Sequence, residues 1–250
     1  MQFSLKGLFT LLCVCSFCTT AFAQALHDTA EVLILKTGEL LPEDAKPMGD
    51  VKVLDGGFKI KCGYDRTIEQ AKEKARKKGA NIVLITELKA PDSKSTCYRL
   101  RGDVYYAENI TGYTPVSSSA FDSSLSAIVP PDADYAVVCV YRPKGGTGML
   151  VHYNLNVGDS ADCRMWNGSK YSVKILKPGP FTIWAKTETK EELTIDVQPG
   201  KVYFVKCSIK MGAFWGRPKF VEVDAHFGLP EFNAVEMKGD PEKQGDPIYQ

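Results

Sequence analysis

Beyond its first two dozen residues, this sequence has no hydrophobic run long enough to cross a membrane as a helix. It has only three histidines, His27, His152 and His226. It contains no H-E-x-x-H, no acidic calcium loop and, after residue 23, no C-x-x-C, so no metal centre is expected. No G-x-S-x-G elbow is present, and pairing Cys163 with His152 or His226 is the one Cys–His combination to weigh. The pairs Gly56-Gly57 and Gly145-Gly146 are not followed by GK[ST], so they are turns and not phosphate loops. No cofactor and no catalytic residue is expected. Charge of one sign is missing too: once residues 1–23 are set aside, basic and acidic side chains are equal in number. A neutral chain without a basic domain gives no reason to expect nucleic acid.

What is present begins with a leader. Lys6 precedes an apolar stretch from Gly7 to Cys18, and Ala21-Phe22-Ala23 is a small-x-small cleavage site, so residues 1–23 are read as a signal peptide. Leu12, Val14 and Phe17 precede the leader cysteines where a lipobox needs a small residue, so lipid anchoring is not expected. Export, periplasmic or extracellular, permits disulfides. Five cysteines remain, Cys62, Cys97, Cys139, Cys163 and Cys207, and an odd count leaves one unmatched within a monomer. Cys139 and Cys207 both fall on predicted strands, as buried thiols or as neighbours in a bond.

Residues 24–108 are read as an α+β domain, one main helix on a small sheet. Thr67, or alternatively Asp65, is the expected N-cap, and Ile68, Ala71 and Ala75 form a small-sided apolar stripe. Glu73 and Lys77 are spaced for an i, i+4 pair, and Gly79 suits the C′ position. The basic face (Lys72, Lys74, Arg76, Lys77, Lys78) is interleaved with Glu69 and Glu73 and reads as solvated. Strands are expected at Glu31–Lys36, Val51–Leu54, Ile82–Ile85 and Cys97–Tyr106, with a loop over Gly38–Asp50.

Residues 109–133 are rich in Ser with Pro115, Pro130 and Pro131, and are read as a linker. Over residues 134–237, short apolar runs alternate with turn residues, which predicts an all-β sandwich. Its strands are placed at Tyr135–Arg142, Met149–Asn156, Tyr171–Leu176, Phe181–Lys186, Glu192–Val197, Val202–Lys210 and Lys219–Val223. Tyr203, Val205, Cys207 and Ile209 share one face and are expected to point inward. Residues 238–250, with Gly-Asp-Pro twice, are read as a flexible tail.

Two resemblances follow from particular residues. Cys62, a helix ending in Ala75-Arg76 and Gly79-Ala80-Asn81, and then Cys97-Tyr98-Arg99 resemble the small disulfide-bearing domain of the outer-membrane stress-sensor lipoprotein of the Rcs pathway. This resemblance implies that Cys62 bonds Cys97. Tyr141-Arg142-Pro143, Pro178-Gly179-Pro180 and Gly200-Lys201-Val202-Tyr203-Phe204 resemble a secreted bacterial β-sandwich family akin to PEGA and carboxypeptidase-regulatory-like domains. Both imply a non-catalytic envelope protein that works by binding, assembly or sensing through protein–protein contact, with an envelope protein or surface polymer as partner. Phe214, Trp215 and Arg217 form an aromatic-basic loop suited to a partner or a carbohydrate, or else to capping the core. An enzyme using an exposed cysteine is the remaining alternative.

Overall fold

The computed structural model describes residues 25–27, 29–55, 63–91, 95–145, 148–157, 160–212, 216–236 and 248–249. Three separate small sheets are built from these residues. The first holds β1 (Leu33–Lys36), β2 (Lys46–Val53), β3 (Ile82–Lys89) and β4 (Arg99–Tyr106) in the order β1-β3-β4-β2. Strand β1 runs parallel to β3, and the other pairings are antiparallel. Between β2 and β3 lies helix α1 (Tyr64–Lys77), which buries Ile68, Ala71 and Ala75 on this sheet. Alanine at two of these contacts lets helix and sheet approach closely.

The start of α1 differs from the sequence reading. Gly63 is its N-cap, and Thr67 sits within the helix, its hydroxyl donating to the Gly63 carbonyl. Glu73 pairs with Arg66 at 3.2 Å, one turn pair toward the N-terminus, where Lys77 was expected as partner. Arg76 leaves the solvated face: its Nε donates to the Ala30 carbonyl at 2.8 Å, and its own carbonyl accepts from the Leu26 N–H, so the segment before β1 is tied to the helix.

The second sheet contains β6 (Tyr153–Val157), β7 (Ser160–Met165), β9 (Gly179–Lys186) and β10 (Lys190–Val197), in the order β10-β9-β6-β7. The third contains β5 (Ala136–Arg142), β8 (Ser169–Ile175), β11 (Val202–Lys210), β12 (Arg217–Val223) and β13 (Ile248–Tyr249), in the order β12-β11-β5-β8-β13. Val138, Val140, Leu155, Ile183, Val205 and Cys207 meet in the core between these two sheets. Val205, Cys207 and Ile209 point into it with Tyr203 packed at its margin, on the face the alternation predicted.

The opposite face of the third sheet is also covered. Helix α2 (Ser119–Ser126) and helix α3 (Ala225–Asn233) bring Phe121, Leu125, Leu229 and Phe232 onto Val137, Cys139, Tyr141 and Phe204. Strand β5 is consequently buried at all seven positions, as an apolar strand between two layers must be. Helix α3 lies so close that a Cβ on Gly228 would sit 2.4 Å from Phe204 Cβ.

These layers overturn the expected fold class. The chain is mostly β, with three short helices among the described residues and three separate sheets, in place of an α+β domain followed by a single sandwich. The physical reason is that α2 and α3 carry little helical periodicity. The first is short and serine-rich, and the second contains Gly228 and Pro230. Residues 109–133, read as a linker, hold α2, with Ser118 capping it by accepting from the Phe121 N–H, and Val129 buried in the layer beneath. In the tail, Ile248–Tyr249 pairs parallel with β8 as an edge strand where flexibility was expected.

Candidate functional site

Helix α3 joins two parts of the molecule. Its N-cap, Asp224, accepts from the His226 N–H at 3.0 Å and from Lys36 Nζ of β1 at 2.6 Å. One turn on, Phe227 enters the core of the first sheet, while Leu229 enters the layer behind the third. His226 reaches back to the first sheet as well, with Nδ1 2.8 Å from the Thr37 carbonyl oxygen and its ring stacked on Phe121 at 4.3 Å.

Below α3 the two sheets do not close. A groove of about 370 Å³ remains between the end of β3 and the outer face of β11 and β12. One wall is Leu88, Ala90 and Pro91, extended by Tyr64 and Tyr98, whose rings meet edge to face at 5.8 Å. Val221 and Val223 form the other wall and Phe227 the roof. A hollow of about 320 Å³ shares Lys206 with it and another of about 350 Å³ shares Lys219.

Four lysines line this apolar slot: Lys36, Lys89, Lys206 and Lys219. Lys36 is matched by Asp224, and Lys206 by Glu231 at 2.7 Å. Glu231 Oε2 also accepts from the Tyr141 hydroxyl at 2.8 Å. Burial, and then the charge of Glu231, push the Tyr141 hydroxyl far above the usual tyrosine range, so it serves as a fixed donor. Lys219 donates to the Pro91 carbonyl at 2.8 Å, a neutral acceptor, and forms no ion pair among the described residues. Burial works against the charge of Asp224, but the hydrogen bonds from Lys36 and from the His226 N–H outweigh it and hold the carboxyl below its ordinary range. The slot therefore offers apolar walls for an anchoring side chain and a cation for an acidic group.

The residues singled out from sequence are not gathered here. Cys62, Phe214 and Trp215 lie outside the described residues. Cys97 is buried beside Ser95, whose hydroxyl accepts from the Cys97 N–H and donates to Asp55 at 2.6 Å. Arg217 opens β12, and its Nε donates to Glu188 at 3.0 Å, which ties the third sheet to the turn after β9. Cys139, Cys163 and Cys207 stand as thiols. Cys139 faces the helix layer and Cys207 the core between the sheets, so the two are not neighbours in a bond. Burial pushes the Cys207 thiol up to about 12. Cys163 packs against the core between the sheets, whereas His226 belongs to the opposite face of the third sheet. His152 stacks on Trp166 at 4.3 Å. No group of three metal-ligating side chains occurs among the described residues, and no helix among them is long and apolar enough to cross a membrane.

Sequence reasoning passed over the groove. Its one local signal was on β11, where Phe204, Lys206, Ser208 and Lys210 alternate with the inward residues. That the last three face a slot, and not open water, depends on β3 and α3 arriving from distant parts of the chain. No protein-family model matches the chain, and no curated protein matches it. Geometry and chemistry therefore carry the functional reading.

Proposed function

We propose that this is an exported, non-catalytic protein of a bacterial envelope that acts by binding, in assembly or envelope sensing, through protein–protein contact at the groove beside α3. The observation that carries the reading is the groove's construction. Its walls come from the first sheet, the third sheet and α3 together, they carry an apolar strip, and Lys219 adds a cation whose partner among the described residues is a carbonyl. An extended partner segment with an apolar anchor and an acidic side chain matches that chemistry. The leader sequence and both family resemblances agree with an exported binding role. The Cys62–Cys97 bond belongs to the same proposal, as a staple on one of the groove's supports.

The test is site-specific photocrosslinking in the envelope from a probe at Ser208, which lies on the groove floor. One defined protein should be captured, and Lys219→Glu, which reverses the cation without touching a buried core, should reduce that product at least about tenfold, the size of a lost anchoring charge. Identical capture by the variant would sink the groove as the contact. A hydrolase or redox activity of the purified chain that disappears with Cys163→Ser would overturn the non-catalytic reading itself.

A further inference from the structure

A second surface lies away from the groove, at the turn after β5. Strand β5 ends in Arg142, which is 2% exposed. Among the described residues its guanidinium reaches no carboxylate. Instead Nη1 donates to the Val151 carbonyl at 2.6 Å and Nη2 to the Gly148 carbonyl at 2.7 Å. The Val151 N–H closes the same turn onto Gly148 at 2.9 Å. Gly148 has φ +73°, and a Cβ there would lie 2.6 Å from Ile209 Cγ2. The turn is thus pinned twice, by a buried cation and by a close approach to the core.

What this rigid turn presents is apolar. Leu150 is 93% exposed and Met149 59%. Trp166, 49% exposed, is held to the same segment by His152, which stacks on its ring. Arg164 lies over the Trp166 ring at 5.0 Å, and the Lys144 side chain crosses Gly168 in the adjoining turn. Lys144 pairs loosely with Glu236, 4.0 Å away and itself exposed. Single exposed leucines are ordinary. Burying a guanidinium to fix a turn that holds two large apolar side chains out in water is not, since the buried charge has a desolvation cost.

This surface favours a soft occupant. A leucine with nearly all its surface in water has no neighbouring wall, so a partner protein would have to supply the whole pocket. A fluid interface needs no matching shape. Aromatic rings and basic side chains around a protruding apolar tip suit the headgroup region of a bilayer. We propose that the Met149–Leu150 turn and Trp166 insert into the interfacial layer of an anionic lipid surface, with Arg164 and Lys144 facing the headgroups.

Vesicle co-sedimentation of the purified chain tests this, with phosphatidylcholine vesicles alone or mixed with phosphatidylglycerol. The chain should pellet with the mixed vesicles and be released by salt, because exposed charges are screened. The double variant Met149→Gln, Leu150→Gln should bind about tenfold more weakly, the loss expected for one large apolar side chain no longer leaving water. Its melting temperature should be unchanged, since neither side chain is buried. Gly148→Ala keeps both side chains but displaces the turn, and should weaken binding while the apolar content is constant. Failure to pellet with either vesicle, or equal pelleting by the double variant, overturns the proposal. Equal pelleting with neutral vesicles removes the roles of Arg164 and Lys144 and overturns the anionic requirement. Loss of a concentration-dependent dimer in the double variant, without vesicle binding, would assign the patch to contact between copies. None of these outcomes depends on the groove.

Discussion

The first and third sheets are each covered on both faces, but by different material. The first takes α1 on one face, a regular helix that lies between two of the sheet's own strands. Its other face takes loops carrying Leu41, Ile110 and Tyr113. The third takes the second sheet on one face, and on the other two short helices from either side of its main strands, α2 before β5 and α3 after β12. A nearby cover forms with little loop closure, whereas a cover brought from both ends needs long-range contacts first. Helix α3 is where the two arrangements meet, with Phe227 serving one core and Leu229 the other.

Removing that shared contact is the strongest way to break the comparison. Phe227→Ala should destabilise the chain by about 3–5 kcal/mol, the usual cost of deleting a buried aromatic side chain. It should also separate the melting of the first sheet from that of the other two. Calorimetry reads both effects, and a single sharp transition in the variant would show that α3 does not couple the cores. Next in size is the proposed staple on the first sheet. Cys97→Ser should cost about 2–4 kcal/mol and leave the second and third sheets intact. Non-reducing peptide mapping of the wild-type chain should recover the Cys62 and Cys97 peptides joined. If Cys62 is alkylated in the native chain, the pairing fails, and with it the resemblance on which it rests.

How much of this could be read beforehand follows the same divide. The Ile68, Ala71 and Ala75 stripe, Gly79 after the helix and the β-branched run from Ile82 gave the first sheet's covering helix to within a few residues. Four of the third sheet's five strands were also placed, Val202–Lys210 because it alternates cleanly, whereas β13 was not. Its helical cover was not. SAFDSSLS has the composition of a linker, and a helix containing Gly228 and Pro230 violates local propensity. Such helices exist because the apolar face of β5 and β11 pays for their ordering. The one local hint was the seven-residue run AVVCVYR, which has no polar alternation and so demands a layer on each side. Met149 and Leu150 misled in the opposite sense: apolar residues were placed in a strand that begins only at Tyr153. The groove was the least legible feature, because β3, β12 and α3 meet there from across the whole chain.

The smallest effect concerns the link between α3 and β1. Asp224 caps the helix and bonds Lys36 across the two parts. Because Asp224 is 41% exposed, its pair with Lys36 is screened, and the cap dominates. Asp224→Ala should cost about 1 kcal/mol near neutral pH, within the range measured for lost N-caps. The sign of the pH dependence follows from the lowered carboxyl. A carboxyl held lower in the folded chain than in the unfolded one contributes stability above the unfolded value, roughly pH 4. That contribution is lost as pH falls toward and through the folded value. Urea titrations of wild type and variant should therefore differ most above pH 4 and converge below it. Curves that stay parallel into acid would show that Asp224 acts through packing and not through its charge.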